Sequence, residues 1–116
     1  MRSVRIVRIL VAVEPRMYRE VIALSLHQHR PDAEVLICPP ESLEGEIGRF
    51  GPHLLVLDDN GGTAPDGLSE VLYRVEILLG AGMDARISVD GRAREVKDIG
   101  TEDLLAVVDE AEIMNP

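Results

Sequence analysis

The chain has 116 residues, of which 46% are apolar, so it can bury a core as a single domain over residues 1–116. Its 21 acidic and 12 basic residues give a net charge of −9, which disfavours a nucleic-acid surface and binding to anionic membranes. One cysteine, Cys38, excludes an intramolecular disulfide and is typical of a reducing compartment. No apolar run is long enough to span a membrane. We therefore expect a cytoplasmic protein.

The first half of the chain alternates between strand and helix patterns, which predicts a parallel sheet with crossover helices. Met17, Val21 and Leu24 recur at helical spacing with Ile22 beside them, and Pro31 limits extension of that helix beyond its last turn. The expected elements are a strand within Val4–Val13, a helix over Arg16–His29, a strand over Glu34–Ile37, a short helix capped by Ser42 that carries Leu43, Ile47 and Phe50 on one face, and a strand ending at Leu57.

The second half is less regular. Residues 61–67 have the composition of a loop, and 71–79 fit either a helix or an alternating strand, with the β-branched residues favouring a strand. Asp90-Gly91 predicts a tight turn between two strands of a hairpin. The last element is a helix capped by Thr101, with Leu104, Val108 and Ala111 as its buried stripe.

The segment Pro52–Asp58 is an apolar run that ends in a carboxylate. A buried parallel strand of this kind delivers its last side chain to the rim of the sheet, where open α/β sheets bind their ligands. Asp58 is therefore the first candidate for a functional residue.

Together with Arg8–Pro15 and Glu95–Leu105, this segment resembles bacterial response-regulator receiver domains in order and spacing. The resemblance implies a three-layer flavodoxin-like α/β fold, with a mostly parallel sheet of strand order 2-1-3-4-5. It implies that Asp58 takes the position of the phosphoacceptor and Lys97 that of the family's lysine. The distance along the chain from Asp58 to Lys97 is short for a receiver, so we expect the fourth unit to be shortened or replaced by the hairpin.

The chain departs from the receiver pattern at the metal site. Receivers hold a divalent cation with two adjacent acids at the end of the first strand, and these positions fall on Ala12 and Val13. Glu14, Asp58 and Asp59 are the remaining candidates for Mg²⁺ ligands. We expect no cofactor and only weak Mg²⁺ binding, because each lost carboxylate removes several kcal/mol of attraction even at an effective dielectric of about 20.

The expected function is a stand-alone receiver-like module of two-component signalling that binds a partner protein without efficient phosphotransfer. Such a module is not an enzyme, although residual autophosphorylation of Asp58 is compatible with it. Alternatives are a small ligand-binding protein or enzyme that uses the crevice around Asp58, and a structural subunit of an oligomer. A homodimer through the last strand and helix is compatible with the resemblance, and an ion pair between Asp58 and Lys97 is expected with or without activity.

Overall fold

The computed structural model describes residues 6–13, 16–58, 71, 73–77, 84–90 and 92–114, with side chains to residue 111. The predicted bounds of the first helix and second strand are confirmed, and the ambiguous segment 71–79 contains a strand. The elements in chain order are β1 (Arg8–Val11), α1 (Arg16–His29), β2 (Glu34–Ile37), a 3-10 turn (Pro40–Ser42), α2 (Leu43–Phe50), β3 (Leu54–Asp58), β4 (Tyr73–Ile77), β5 (Ala85–Val89), β6 (Arg92–Val96) and α3 (Thr101–Met114).

The strands form one sheet in the order β2-β1-β3-β4-β5-β6. The first four strands pair in parallel, whereas β5 runs antiparallel to both β4 and β6. The α/β class and the predicted hairpin are confirmed. The five-strand order 2-1-3-4-5 is wrong, because the sheet has a sixth strand and two antiparallel pairings.

Connection length explains this difference. Residues 78–84, seven in all, separate β4 from β5. A crossover that returns the chain to a parallel strand needs about a dozen residues or more, so the next strand has to run antiparallel. The hairpin then reverses the chain again, and β6 ends at the same edge of the sheet as β1, β3 and β4.

Helices cover both faces of the sheet, as in a three-layer sandwich. Along β1, Ile9 and Val11 belong to the core beneath α1 and α3, while Leu10 belongs to the core beneath α2. All three side chains are fully buried, because successive residues of a strand point to opposite faces and both faces are covered here. This is why β1 has an uninterrupted apolar sequence.

Helix α1 does not turn its predicted apolar stripe towards the core. Met17, Val21 and Leu24 are 68%, 59% and 57% exposed, whereas Leu26 and Arg19 are buried on the opposite side. The helix has more apolar residues than one face can hold. The stripe correctly indicated a helix, but it lies on the outer face of the molecule.

The two predicted helix caps, Ser42 and Thr101, do not cap their helices in the expected way. Ser42 precedes α2 but makes no side-chain capping bond, and the helix ends at Gly51 with φ of 65°. In α3, Thr101 is the first helical residue rather than the cap. The Gly100 N–H donates to Asp103 Oδ2 at 2.9 Å, so Asp103 satisfies the backbone donor that precedes the helix.

Candidate functional site

The carboxyl ends of β1, β3, β4 and β6 meet at one edge of the sheet, and Asp58 lies there at the end of β3. Asp58 is partly exposed and pairs in register with Ile77 of β4. Ile77 aligns with Ala85 of β5, and Ala85 aligns with Val96 of β6. Asp58 and Val96 therefore belong to one row across four strands, and Lys97 comes directly after that row.

Lys97 shares this edge with Asp58 but follows a strand that lies three positions away in the sheet. Three strand spacings of about 4.8 Å separate β3 from β6, which places the two backbones about 14 Å apart. The expected strand order would have left two spacings, or about 10 Å. The extra strand β5 thus adds one strand spacing between the two backbones, and the ion pair that the structure gives Lys97 is with Asp84.

The partner of Lys97 is Asp84. Its Oδ2 lies 3.6 Å from the Lys97 Nζ, and its Oδ1 accepts a hydrogen bond from the Asp98 N–H at 2.9 Å. The Lys97 side chain is 86% exposed, so this ion pair contributes little to stability. Asp84 holds the turn that follows β6, and Lys97 has a structural role in that turn.

The end of β1 offers no side-chain oxygen for a cation at the positions of the receiver acid pair. Ala12 and Val13 are 2% and 0% exposed, and the Ala12 N–H donates to the Val56 carbonyl oxygen at 2.8 Å. Of the three candidate Mg²⁺ ligands, Glu14 and Asp59 lie outside the described residues. Among the residues that are described, no group of three His, Cys, Asp or Glu side chains could hold a metal ion.

Arg19 and Cys38 are two polar groups buried in this part of the fold. Arg19 is 8% exposed, and its Nη1 lies 3.5 Å from the Val13 carbonyl oxygen. Cys38 follows β2 and is 4% exposed, as expected of a small core residue. Burial, and then the negative charge of Glu46, raises the pKa of the Cys38 thiol. A thiol of this kind is a poor nucleophile at neutral pH.

The largest group of exposed apolar side chains among the described residues lies on α1. We call Met17, Val21 and Leu24, with Tyr18 at 45% exposure beside them, the α1 ridge. Residues at i, i+4 and i+7 form a continuous line on a helix, so the ridge is one surface and not a set of scattered side chains. Their helical spacing in the sequence predicted that these residues pack in the core, whereas the structure exposes them. The charged Arg19 at the centre of the opposite face favoured the wrong orientation, because an arginine is rarely buried.

Exposed acidic side chains lie on α3, the helix that packs next to α1. Helix α3 lies beside α1, and Arg30 joins the two helices by donating from Nε and Nη2 to the two carboxylate oxygens of Asp109, at 2.8 and 2.7 Å. The exposed side chains of α3 include Glu102, Asp103 and Glu110. Helices α1 and α3 therefore pack on the same face of the sheet, with an apolar line exposed on α1 and acidic side chains exposed on α3.

Comparisons of the chain with protein-family models, curated proteins and solved structures find no match. No helix in the described part of the chain is long and apolar enough to cross a membrane.

Proposed function

We propose that this chain is a receiver-like signalling module that binds a partner protein through the α1 ridge and does not carry out efficient phosphotransfer. The observation that carries this proposal is the exposure of Met17, Val21 and Leu24 on a helix that buries an arginine instead. A contiguous apolar patch of this kind is typical of a protein-binding surface.

The arrangement at the strand ends supports the second part of the proposal. Phosphotransfer of the receiver type needs a cation to neutralise the phosphoryl oxygens and a lysine within reach of the aspartate. Ala12 and Val13 supply no ligand for a cation, and Lys97 lies three strand spacings from Asp58. Asp58 remains as a rim carboxylate without the two groups that would make it a phosphoacceptor.

Charge favours one kind of partner. The chain carries a net charge of −9, and α3, which packs on the same face of the sheet as α1, has exposed acids. Two copies facing each other through this surface would bring like charges together, which disfavours a homodimer here. The partner that fits is a protein segment with an apolar line and a basic rim, such as an amphipathic helix.

The docking part is tested by a pull-down from a lysate of the native cells. We expect Val21→Glu to lose the proteins that the wild type captures, because the new charge would be buried at the interface without a counterion. Ala93→Glu on the exposed strand β6 introduces the same charge at the opposite edge and should retain them. Capture of the same proteins by Val21→Glu would contradict docking at the ridge.

The phosphotransfer part is tested separately, with acetyl phosphate or beryllofluoride in the presence of Mg²⁺. We expect no added mass and no change in the backbone amide shifts of residues 54–58. A stable adduct that forms in the wild type and is absent in Asp58→Asn would contradict this part of the proposal.

A further inference from the structure

His53 joins the starts of two neighbouring strands, β1 and β3. Its backbone N–H donates to the Arg8 carbonyl oxygen at 2.8 Å, and its side-chain Nδ1 accepts a hydrogen bond from the Arg8 N–H at 2.9 Å. The Arg8 Nε–H also donates to the Gly51 carbonyl oxygen at 2.9 Å. Three hydrogen bonds therefore hold Arg8 against the segment that leads into β3.

One of these bonds requires a neutral imidazole. A neutral ring has one donor nitrogen and one acceptor nitrogen, whereas both nitrogens of an imidazolium are donors. Because Nδ1 accepts from a backbone N–H, the proton of the neutral ring must be on Nε2. Protonation of Nδ1 would place two N–H donors against each other at this contact.

The surroundings of His53 disfavour its charged form. Burial, and then the positive charge of Arg8, lower the pKa of the His53 ring below its usual value. The elements next to His53, β2 and α2, also carry charged residues. Glu34 of β2 lies opposite Arg8 in register, and Arg49 of α2 is engaged with Glu46. Among the described residues, no carboxylate bonds to the His53 ring to stabilise an imidazolium.

We propose that His53 is a pH-sensitive clasp, in which protonation of the imidazole breaks its bond to the Arg8 N–H and loosens the start of β1 from β3. The start of β1 would remain attached to β2, because the Glu34 N–H donates to the Val7 carbonyl oxygen at 2.9 Å. Mild acid then removes one of the three hydrogen bonds that hold Arg8 to this segment, while the bonds from the His53 N–H to the Arg8 carbonyl oxygen and from the Arg8 Nε–H to the Gly51 carbonyl oxygen remain. This inference is independent of the proposed partner binding.

The sign of the pH effect follows from the direction of the shift. The pKa of His53 is lower in the folded chain than its usual 6.5, so the folded state favours the neutral ring. The stabilisation is present above pH 6.5 and is lost as the pH falls through the pKa of the folded state. The clasp is therefore closed at neutral pH and opens in mild acid.

Hydrogen exchange of the Arg8 amide, followed by NMR between pH 7.5 and 5 and corrected for its intrinsic pH dependence, tests the proposal. In the wild type we expect protection of this amide to fall by roughly fivefold, the factor for losing one hydrogen bond of ordinary net strength. His53→Asn can present an amide oxygen near the position of Nδ1 and does not titrate, so its Arg8 protection should be constant. His27→Asn changes an exposed histidine of α1 and should follow the wild type.

The ring nitrogen shifts of His53 supply a measurement that needs no variant. We expect an unprotonated Nδ1 and a protonated Nε2 at pH 7.5, and loss of that pattern in the same pH range in which the Arg8 amide loses protection. Constant protection of Arg8 in the wild type, or an Nδ1 that is protonated at pH 7.5, would overturn the proposal.

Discussion

At the scale of single residues, small changes decide which chemistry the strand ends can support. Ala12 and Val13 leave the end of β1 apolar, and their burial makes them part of the core rather than of a ligand site. Lys97 forms an ion pair with Asp84. The position of Asp58 at a strand end does not by itself establish an activity, because a fold places residues there in proteins of many functions.

The ion pair between Arg30 and Asp109 leads to a prediction at this scale. The hydrogen bonds from Arg30 hold the pKa of Asp109 below its usual 3.8, although burial opposes them. The pair therefore stabilises the fold above about pH 3.8, and this contribution disappears as the pH falls through the pKa of the folded state. We expect Asp109→Asn to lower the free energy of unfolding by about 0.5–1 kcal/mol at pH 7, measured by urea denaturation.

Asp32→Asn is the matched control, because Asp32 is exposed and has no ion pair among the described residues. It should change the free energy of unfolding by less than about 0.5 kcal/mol. An equal loss in both variants, or a loss in Asp109→Asn that persists at pH 2, would show that the bidentate contact is not the cause.

At the scale of elements, backbone chemistry was easier to predict than the direction a helix faces. Pro31 and Pro39 set the ends of α1 and β2, and these elements have the expected bounds. The hairpin was also predictable from Asp90-Gly91, because both residues tolerate the positive φ that a tight hairpin turn requires. In the structure Asp90 has φ of 51°. By contrast, the apolar residues of α1 lie on both of its sides, so periodicity alone could not decide which side packs on the sheet.

Two leucines of α1 test that assignment of faces. Leu26 is fully buried and Leu24 is 57% exposed, although they are two residues apart on the same helix. Leu26→Ala should cost about 2–5 kcal/mol of unfolding free energy, because it leaves a cavity in the core. Leu24→Ala should change it by less than about 0.5 kcal/mol, since alanine has the higher helix propensity and little packing is lost. Denaturant unfolding of the two variants compares them directly, and equal losses would contradict the outward placement of the α1 ridge.

At the scale of the whole molecule, the candidate site depends on how many strands lie between β3 and the last strand. The sequence correctly predicted that Asp58 and Lys97 follow strands that end at one edge. It predicted β5 as the first strand of the hairpin but could not show that β5 lies between β4 and β6 in the sheet, because the alternation of a short strand is compatible with several partners. One added strand therefore increases the separation of the two strand ends from two spacings to three.

Net charge gives a prediction for the molecule as a whole. The Cα radius of gyration is 13.2 Å, so at 10 mM salt, with a screening length of about 30 Å, the excess of nine negative charges repels itself across the entire fold. The described ion pairs oppose this effect, but exposed pairs are worth at most about 1 kcal/mol each. We expect 200 mM NaCl to raise the midpoint of thermal unfolding at pH 7 by roughly 4 °C, the shift that corresponds to about 1 kcal/mol in a chain of this size. The rise should disappear at pH 4.7, where the net charge is close to zero. A midpoint that falls with salt at pH 7 would mean that the ion pairs outweigh the net repulsion.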